Sequence, residues 1–175
     1  MPRCRLVLAQ TAALLALAGC GWTPLYADRE TGPADQALRT IRVDPIPERV
    51  GQRLEMALRD SLDGGEPGPK RYVLHTLLSV NLVDLGIQSQ GLGTRGKLDV
   101  YATITLAEIN KAGTLLTNVV HAAESFDIQA NGYSTVVAEE DARNRAVEEL
   151  RREIVARLTL FMQRRAAQTA AAPAP

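Results

Sequence analysis

The alternation of apolar and polar residues over positions 72–83 limits the possible folds of this chain most strongly. A similar run covers positions 98–106, after a segment rich in Gly, Gln and Ser at 86–96. A period of two is typical of strands that bury one face and expose the other. The two runs therefore predict long strands of one sheet. The residues expected to face the core are Leu74, Thr76, Leu78, Val80 and Leu82 in the first run, and Leu98, Val100, Ala102, Ile104 and Leu106 in the second.

The remaining segments complete a β-α-β-β-β-α order. Apolar residues recur at helical spacing in 49–62 and again in 136–165, whereas 38–43 and 115–128 are rich in strand-forming residues. Asn118 and Glu124 interrupt the apolar face of the last strand, which predicts a bulge or a face that meets a partner. We expect an α+β fold, a two-layer sandwich. In it, two helices pack on one face of a mostly antiparallel four-stranded sheet, and the other, more polar face remains available to solvent or a partner.

The start of the chain has the parts of a secretory signal peptide. Arg3 and Arg5 precede an uncharged run of 13 residues, 6–18, which is too short for a membrane-spanning helix of roughly 20 residues. The run ends in Leu-Ala-Gly19-Cys20, which resembles the bacterial lipobox. This pattern predicts cleavage after Gly19 and acylation of Cys20, by which the chain would be anchored to a membrane. The alternative is an ordinary secreted protein whose cysteine falls there by chance.

Composition and charge further restrict the domain organisation and the possible functions of the mature chain. We expect a signal peptide at 1–19, the lipidated cysteine and a tether at 20–36, the α+β domain at 37–166, and a disordered Ala/Pro tail at 167–175. The other cysteine, Cys4, leaves with the signal, so the mature chain has no disulfide. Without Arg3 and Arg5, 18 basic residues face 20 acidic ones, a net charge of −2 that does not suit nucleic-acid binding.

The residues that could act in catalysis or bind a metal give little support to the hypothesis of an enzyme. His75 and His121 fall on different strands without the spacing of metal ligands, so we expect two exposed strand residues. Glu139, Glu140 and Asp141 are expected just inside a helix start, where the helix dipole stabilises negative charge. We therefore predict no catalytic residue, no metal site and no cofactor other than the lipid on Cys20.

With these elements placed, the chain resembles the lipopolysaccharide-assembly lipoprotein family LptE. The most specific part is the heptapeptide Cys-Gly-Trp-Thr-Pro-Leu-Tyr at 20–26, in which Trp22 stands where a phenylalanine is expected. The resemblance continues through the helix with Leu54, Leu58 and Leu62, the strand from Tyr72, the pair Thr94-Arg95, and the pattern Glu139-Glu140-Asp141-Ala142-x-x-x-Ala146.

This resemblance implies a non-catalytic outer-membrane lipoprotein that plugs the β-barrel protein LptD and supports delivery of lipopolysaccharide to the outer leaflet. The domain would lie on the periplasmic side or within the barrel lumen. Arg95 and Lys97 are candidates for contact with lipid A phosphates, because arginine binds phosphate through paired hydrogen bonds; the alternative is a pair of solvated loop charges. Two other functions stay open: a lipid-anchored periplasmic accessory subunit of an envelope lipid transporter, and an envelope hydrolase.

Overall fold

Seven elements make up the part of the chain that the structure, a computed structural model, describes: residues 33–63, 68–87, 93–129 and 131–171. Cys20, Gly19 and the heptapeptide lie outside these residues. The elements in chain order are α1 (Pro33–Arg39), β1 (Ile41–Val43), α2 (Glu48–Asp63), β2 (Tyr72–Ile87), β3 (Gly93–Glu108), β4 (Thr114–Asp127) and α3 (Gly132–Ala171).

The four strands form one sheet in the order β1-β2-β3-β4. The long pairs β2–β3 and β3–β4 are antiparallel, whereas the short β1 pairs with β2 in parallel, from Ile41 opposite Tyr72 to Val43 opposite Leu74. A parallel pair needs a crossover connection, and α2 supplies it. The predicted α+β class and mostly antiparallel sheet are confirmed.

The core lies between one face of the sheet and the helices. Even-numbered residues of β3 point into it, and each of the five apolar ones from Leu98 to Leu106 is fully buried. They pack with the apolar stripes of α2 and α3, which include Leu54, Leu58 and Ile154. On β2 the burial weakens towards the far end, so that Leu82, expected in the core, is 47% exposed.

The helix α3 is longer than the sequence pattern indicates. The segment Asn131-Gly132-Tyr133 predicts a turn. In the structure Asn131 caps the start of α3, because the Asn131 Oδ1 accepts a hydrogen bond of 3.1 Å from the Tyr133 backbone amide. The spacing of Val147, Leu150, Ile154, Leu158 and Phe161 predicts one apolar stripe on α3. The first four are buried in the structure, whereas Phe161 is only partly buried. The other buried members of the stripe are Ala142, Ala146 and Met162.

Two ends of the domain differ from the expectations. The helix α1 contains residues 33–36, which were expected in the tether, and Leu38, which was expected in the first strand. The Leu38 side chain is buried in the core. At the other end, α3 continues to Ala171, so positions 167–171 of the predicted tail are helical. Alanine is the strongest helix former, and it dominates that segment.

The segment Asn110-Lys111-Ala112-Gly113 predicts a hairpin turn, and β3 and β4 are joined by a hairpin there. Asn110 and Gly113 take positive φ angles of 71° and 118°, the backbone conformation that asparagine and glycine tolerate best. The register of the β3–β4 pair shifts between Leu106 and Ala107, so the bulge is not at Asn118 or Glu124. Among the described residues, no helix is long and apolar enough to cross a membrane.

We predict that Ile154→Ala lowers the free energy of unfolding by about 2–5 kcal/mol, because the side chain is fully buried and its loss leaves a cavity. Leu160→Ala is the matched control on the same helix, where the side chain is 42% exposed and the expected loss is below about 1 kcal/mol. Chemical denaturation measures both values. A loss below about 1 kcal/mol for Ile154→Ala would show that α3 does not close the core.

Candidate functional site: the open face of the sheet

The sheet face opposite the helices is open among the described residues. Because side chains alternate along a strand, odd-numbered residues of β2, β3 and β4 share this face. The strand register places Leu77, Thr103 and Val119 in one row across the three strands. Leu77 is 71% exposed and Val119 is 54% exposed. The open face therefore presents large apolar side chains to its surroundings, and is less polar than the sequence pattern indicates.

A hydrogen-bonded cluster lies beside this apolar row. The Asp99 carboxylate accepts from the Lys97 Nζ at 3.0 Å and contacts the His121 Nε2 at 2.8 Å through the same oxygen. The ring of His121 stacks on Tyr101, with centroids 4.3 Å apart and planes 15° from parallel. Asp99 is only 13% exposed, so its neighbours shield most of the carboxylate. The four residues form one connected unit on β3 and β4, which we call the Asp99 cluster.

The Asp99 cluster shifts the acidity of its central carboxyl group. The hydrogen bond from Lys97, followed by that from His121, lowers the pKa of Asp99 below its ordinary value, although burial acts in the opposite direction. Asp99 is therefore ionised at neutral pH. Its stabilising contribution is present above the ordinary carboxyl pKa of about 3.9 and is lost as the pH falls through the lower value of the folded protein.

Arg95 and Lys97, the predicted phosphate contacts, lie in β3 rather than in a loop. They are two residues apart and therefore share the open face, where the register places Arg95 opposite Asp127 and Lys97 opposite Ser125. Lys97 belongs to the Asp99 cluster, so its ammonium group is already engaged. Arg95 is exposed and makes no ion pair with any residue in the described ranges. The two cations thus lie close together, but only Lys97 is engaged by a carboxylate of the described residues.

A group of exposed apolar side chains lies at the start of α3, at the same end of the sheet. The strand β4 ends at Asp127, opposite Arg95, and α3 begins five residues later. Its first turns expose Tyr133 by 77%, Val136 by 64% and Val137 by 50%. Exposed apolar side chains grouped on one helix start are unusual for a surface that meets only water.

The acidic residues of α3 have a structural role that differs from the expected one. Because α3 begins at Gly132, Glu139, Glu140 and Asp141 lie beyond its first turn, where the helix dipole has little effect. Each pairs instead with an arginine: Glu139 with Arg143, Glu140 with Arg53, and Asp141 with Arg145. These ion pairs account for the acidic group without a catalytic role.

Two arginines of α3 also hold the edge strand β4. Arg145 donates to Glu124 at 2.9 Å and to the Ser125 carbonyl oxygen at 3.1 Å. Arg157 contacts Asn118 and donates to the Val119 carbonyl oxygen at 3.0 Å. The two polar interruptions of β4, expected to mark a bulge or a partner-facing surface, are therefore satisfied within the fold.

The two histidines do not approach each other, as expected. His75 is exposed and its Nδ1 lies 2.8 Å from Asp44 near β1, whereas His121 is part of the Asp99 cluster on β4. No group of three or more potential metal ligands occurs in the described ranges. The sequence predicts only that His121 is an exposed strand residue, because the strand register that brings Tyr101 and His121 side by side is not visible in the sequence.

We predict that Lys97→Ala raises the pKa of Asp99 towards its ordinary value, because the largest stabilising hydrogen bond to the carboxylate is removed. Carboxyl carbon chemical shifts, followed by NMR across the acidic pH range, report the change. Lys111→Ala is the control, since that lysine pairs with Glu108 and not with Asp99. An unchanged Asp99 titration in Lys97→Ala would contradict the cluster geometry.

Comparisons with known proteins relate both the fold and the sequence to lipoproteins. The family model described as "LptE: Lipopolysaccharide-assembly" matches residues 38–158. A crystal structure of a lipoprotein candidate from Caulobacter crescentus CB15 matches with a TM-score of 0.61 at 21% identity, and covers 74% of this chain and 96% of that one. A minor lipoprotein from Acinetobacter baumannii matches with a TM-score of 0.55 at 17% identity, over 69% of this chain and 90% of that one. At these identities the two structures show the fold alone. No protein with a curated description matches the sequence.

Proposed function

Because the chain belongs to the lipopolysaccharide-assembly family LptE, we propose that it is a non-catalytic outer-membrane lipoprotein that plugs an LptD-type β-barrel. In that position it supports the barrel in the assembly of lipopolysaccharide at the outer leaflet. The observation that carries this proposal is the open face of the sheet, where Leu77 and Val119 remain exposed on one side of a fold whose other side is a complete core.

The open face has the composition of a surface that meets another protein. Its apolar row offers area that is stabilised by burial, at about 25 cal/mol for each Å² removed from water. Its polar groups Lys97, Asp99 and His121 already bind one another. Burial of such a pre-paired cluster leaves no isolated charge, which is the costly outcome at an interface. The inner wall of a large barrel is polar, and a mixed face of this kind suits it.

Lipopolysaccharide contact is proposed at the end of the sheet that carries Arg95 and Lys97. Lipid A combines phosphate groups with acyl chains. The exposed guanidinium group of Arg95 supplies paired donors for phosphate, and the apolar start of α3 around Tyr133 and Val136 supplies a surface for hydrocarbon. Arg95 carries the larger share of the proposed contact, because Lys97 also binds Asp99.

Membrane attachment is proposed through acyl groups on Cys20, after cleavage behind Gly19. Twelve residues separate Cys20 from Pro33, the first residue of α1. Several acyl chains on one residue hold a protein domain on a membrane almost irreversibly, at about 0.8 kcal/mol for each buried methylene group. No further cofactor is proposed.

We predict that Leu77→Asp combined with Val119→Asp abolishes co-purification with a large β-barrel protein from detergent-solubilised outer membranes. Two carboxylates on the apolar row would have to lose their hydration at the interface without a partner. The matched control is Met56→Asp combined with Leu160→Asp, on helix surfaces of similar exposure. Unfolding curves show that both variants fold.

Two results would contradict this prediction. Retention of the barrel by the Leu77/Val119 variant would exclude the open face as the docking surface. The absence of any barrel in the wild-type eluate, with a permease or soluble carrier in its place, would favour an accessory subunit of a lipid transporter instead.

We predict that Arg95→Gln combined with Lys97→Gln weakens lipopolysaccharide binding by about tenfold or more at low salt, because charge-assisted hydrogen bonds each contribute about 1.5–3 kcal/mol. The difference narrows as salt rises, since exposed charges are screened over about 8 Å at physiological ionic strength. The control is Arg49→Gln, whose side chain is 80% exposed on α2. Equal binding of purified lipopolysaccharide by the wild type and the double variant would reduce Arg95 and Lys97 to solvated charges.

A further inference from the structure

A second group of cations surrounds one buried carboxylate at the other end of β3. Glu108 is the last residue of β3, and its side chain is only 9% exposed. The Glu108 Oε1 accepts from the Arg71 Nε at 3.1 Å and from the Lys111 Nζ at 3.2 Å, and the Oε2 lies 3.5 Å from the Arg165 Nη2. These four residues, which we call the Glu108 cluster, are the residue before β2, the last residue of β3, one residue of the β3–β4 hairpin and one residue in the C-terminal part of α3.

The Glu108 cluster contains more positive charge than its own carboxylate neutralises. Three cations face one anion, so two positive charges remain in excess. A second anion bound to the Glu108 cluster would neutralise the remaining positive charge.

The arginines of the cluster are also held in place. Arg71 and Arg165 both lie over the ring of Tyr72, with their guanidinium carbons 5.5 and 5.8 Å from the ring centroid. The contact limits side-chain motion, so less entropy is lost when a ligand binds. Arg71 engages Glu108 through its Nε alone, and its terminal nitrogens donate to no residue in the described part of the chain. These donors have the fork geometry that phosphate oxygens accept.

We propose that the Glu108 cluster is a binding site for a phosphate group, presented either by a small phosphate compound or by a phospholipid headgroup. The site is separate from the proposed lipopolysaccharide contact, because Glu108 is thirteen residues from Arg95 along the same strand, roughly 40 Å at about 3.3 Å per residue. It does not depend on the proposed function, and the two are tested with different variants.

Two probes distinguish the sources of phosphate. Inorganic phosphate is titrated into the full chain while the Nε–H signals of Arg71 and Arg165 are followed by NMR, with Arg152 as the internal control. Vesicles of phosphatidylcholine with and without phosphatidylglycerol are then compared by sedimentation, using the chain with Cys20→Ser so that no lipid anchor contributes. A response to phosphate ion and to phosphatidylglycerol indicates general phosphate recognition, whereas a response to the vesicles alone identifies headgroups as the source.

The test variant is Lys111→Gln combined with Arg165→Gln, which retains the pair of Arg71 and Glu108 and hence the fold. Near an anionic surface each basic side chain contributes about fivefold, so binding is expected to fall by about 25-fold. The control, Arg49→Gln combined with Arg152→Gln, loses the same charge elsewhere and is expected to change binding by less than about twofold. Unfolding midpoints verify that both variants fold.

Removal of the Glu108 carboxylate, which competes with phosphate for the same cations, tests the proposal independently. Glu108→Gln is expected to strengthen phosphate binding, whereas Glu149→Gln, which removes a surface carboxylate paired with Arg152, leaves it unchanged. The proposal is overturned if neither probe binds, or if the control variants alter binding as much as the variants of the Glu108 cluster do.

Discussion

The contact between the inner row of β3 and the helices determines the rest of the structure. Leu98, Val100, Ala102, Ile104 and Leu106 are fully buried against the stripes of α2 and α3. Side chains on a strand alternate between two faces, so burial of this row places Asp99, Tyr101 and Thr103 on the opposite face. A two-layer fold has no element left to cover that face. The proposed docking surface is thus a consequence of the way in which the core is built.

Arginines connect the layers where apolar packing ends. Arg145 and Arg157 reach from α3 to backbone carbonyls of the edge strand β4, and Arg53 joins α2 to Glu140 on α3. An edge strand with free carbonyls invites pairing with another chain, and polar side chains at the edge oppose it. The arginine contacts therefore fix the position of α3 and protect the edge of the sheet, and leave the open face as the surface available to a partner.

The sequence indicated the fold well because its strongest signals are periodic. Alternation in β2 and β3 predicted both their location and the side that faces the core, and helical spacing identified α2 and α3. The predicted helix bounds were wrong at both ends of the domain. The helix α1 forms because Leu38 reaches the core, and α3 extends through an alanine-rich end. The Asp99 cluster and the Glu108 cluster were not foreseen, since each joins residues of different elements. Arg95 was identified as a candidate, but the sequence did not show that Lys97 is engaged by Asp99.

Site-specific cross-linking in cells tests whether the open face of the sheet meets the wall of a β-barrel. A photoreactive amino acid replaces Thr103, which the register places between Leu77 and Val119, or replaces Leu160 on α3 as a comparison. If the open face meets the barrel wall, irradiation joins position 103 to a large outer-membrane barrel protein with a higher yield than position 160. A barrel adduct from position 160 with none from position 103 would contradict this contact.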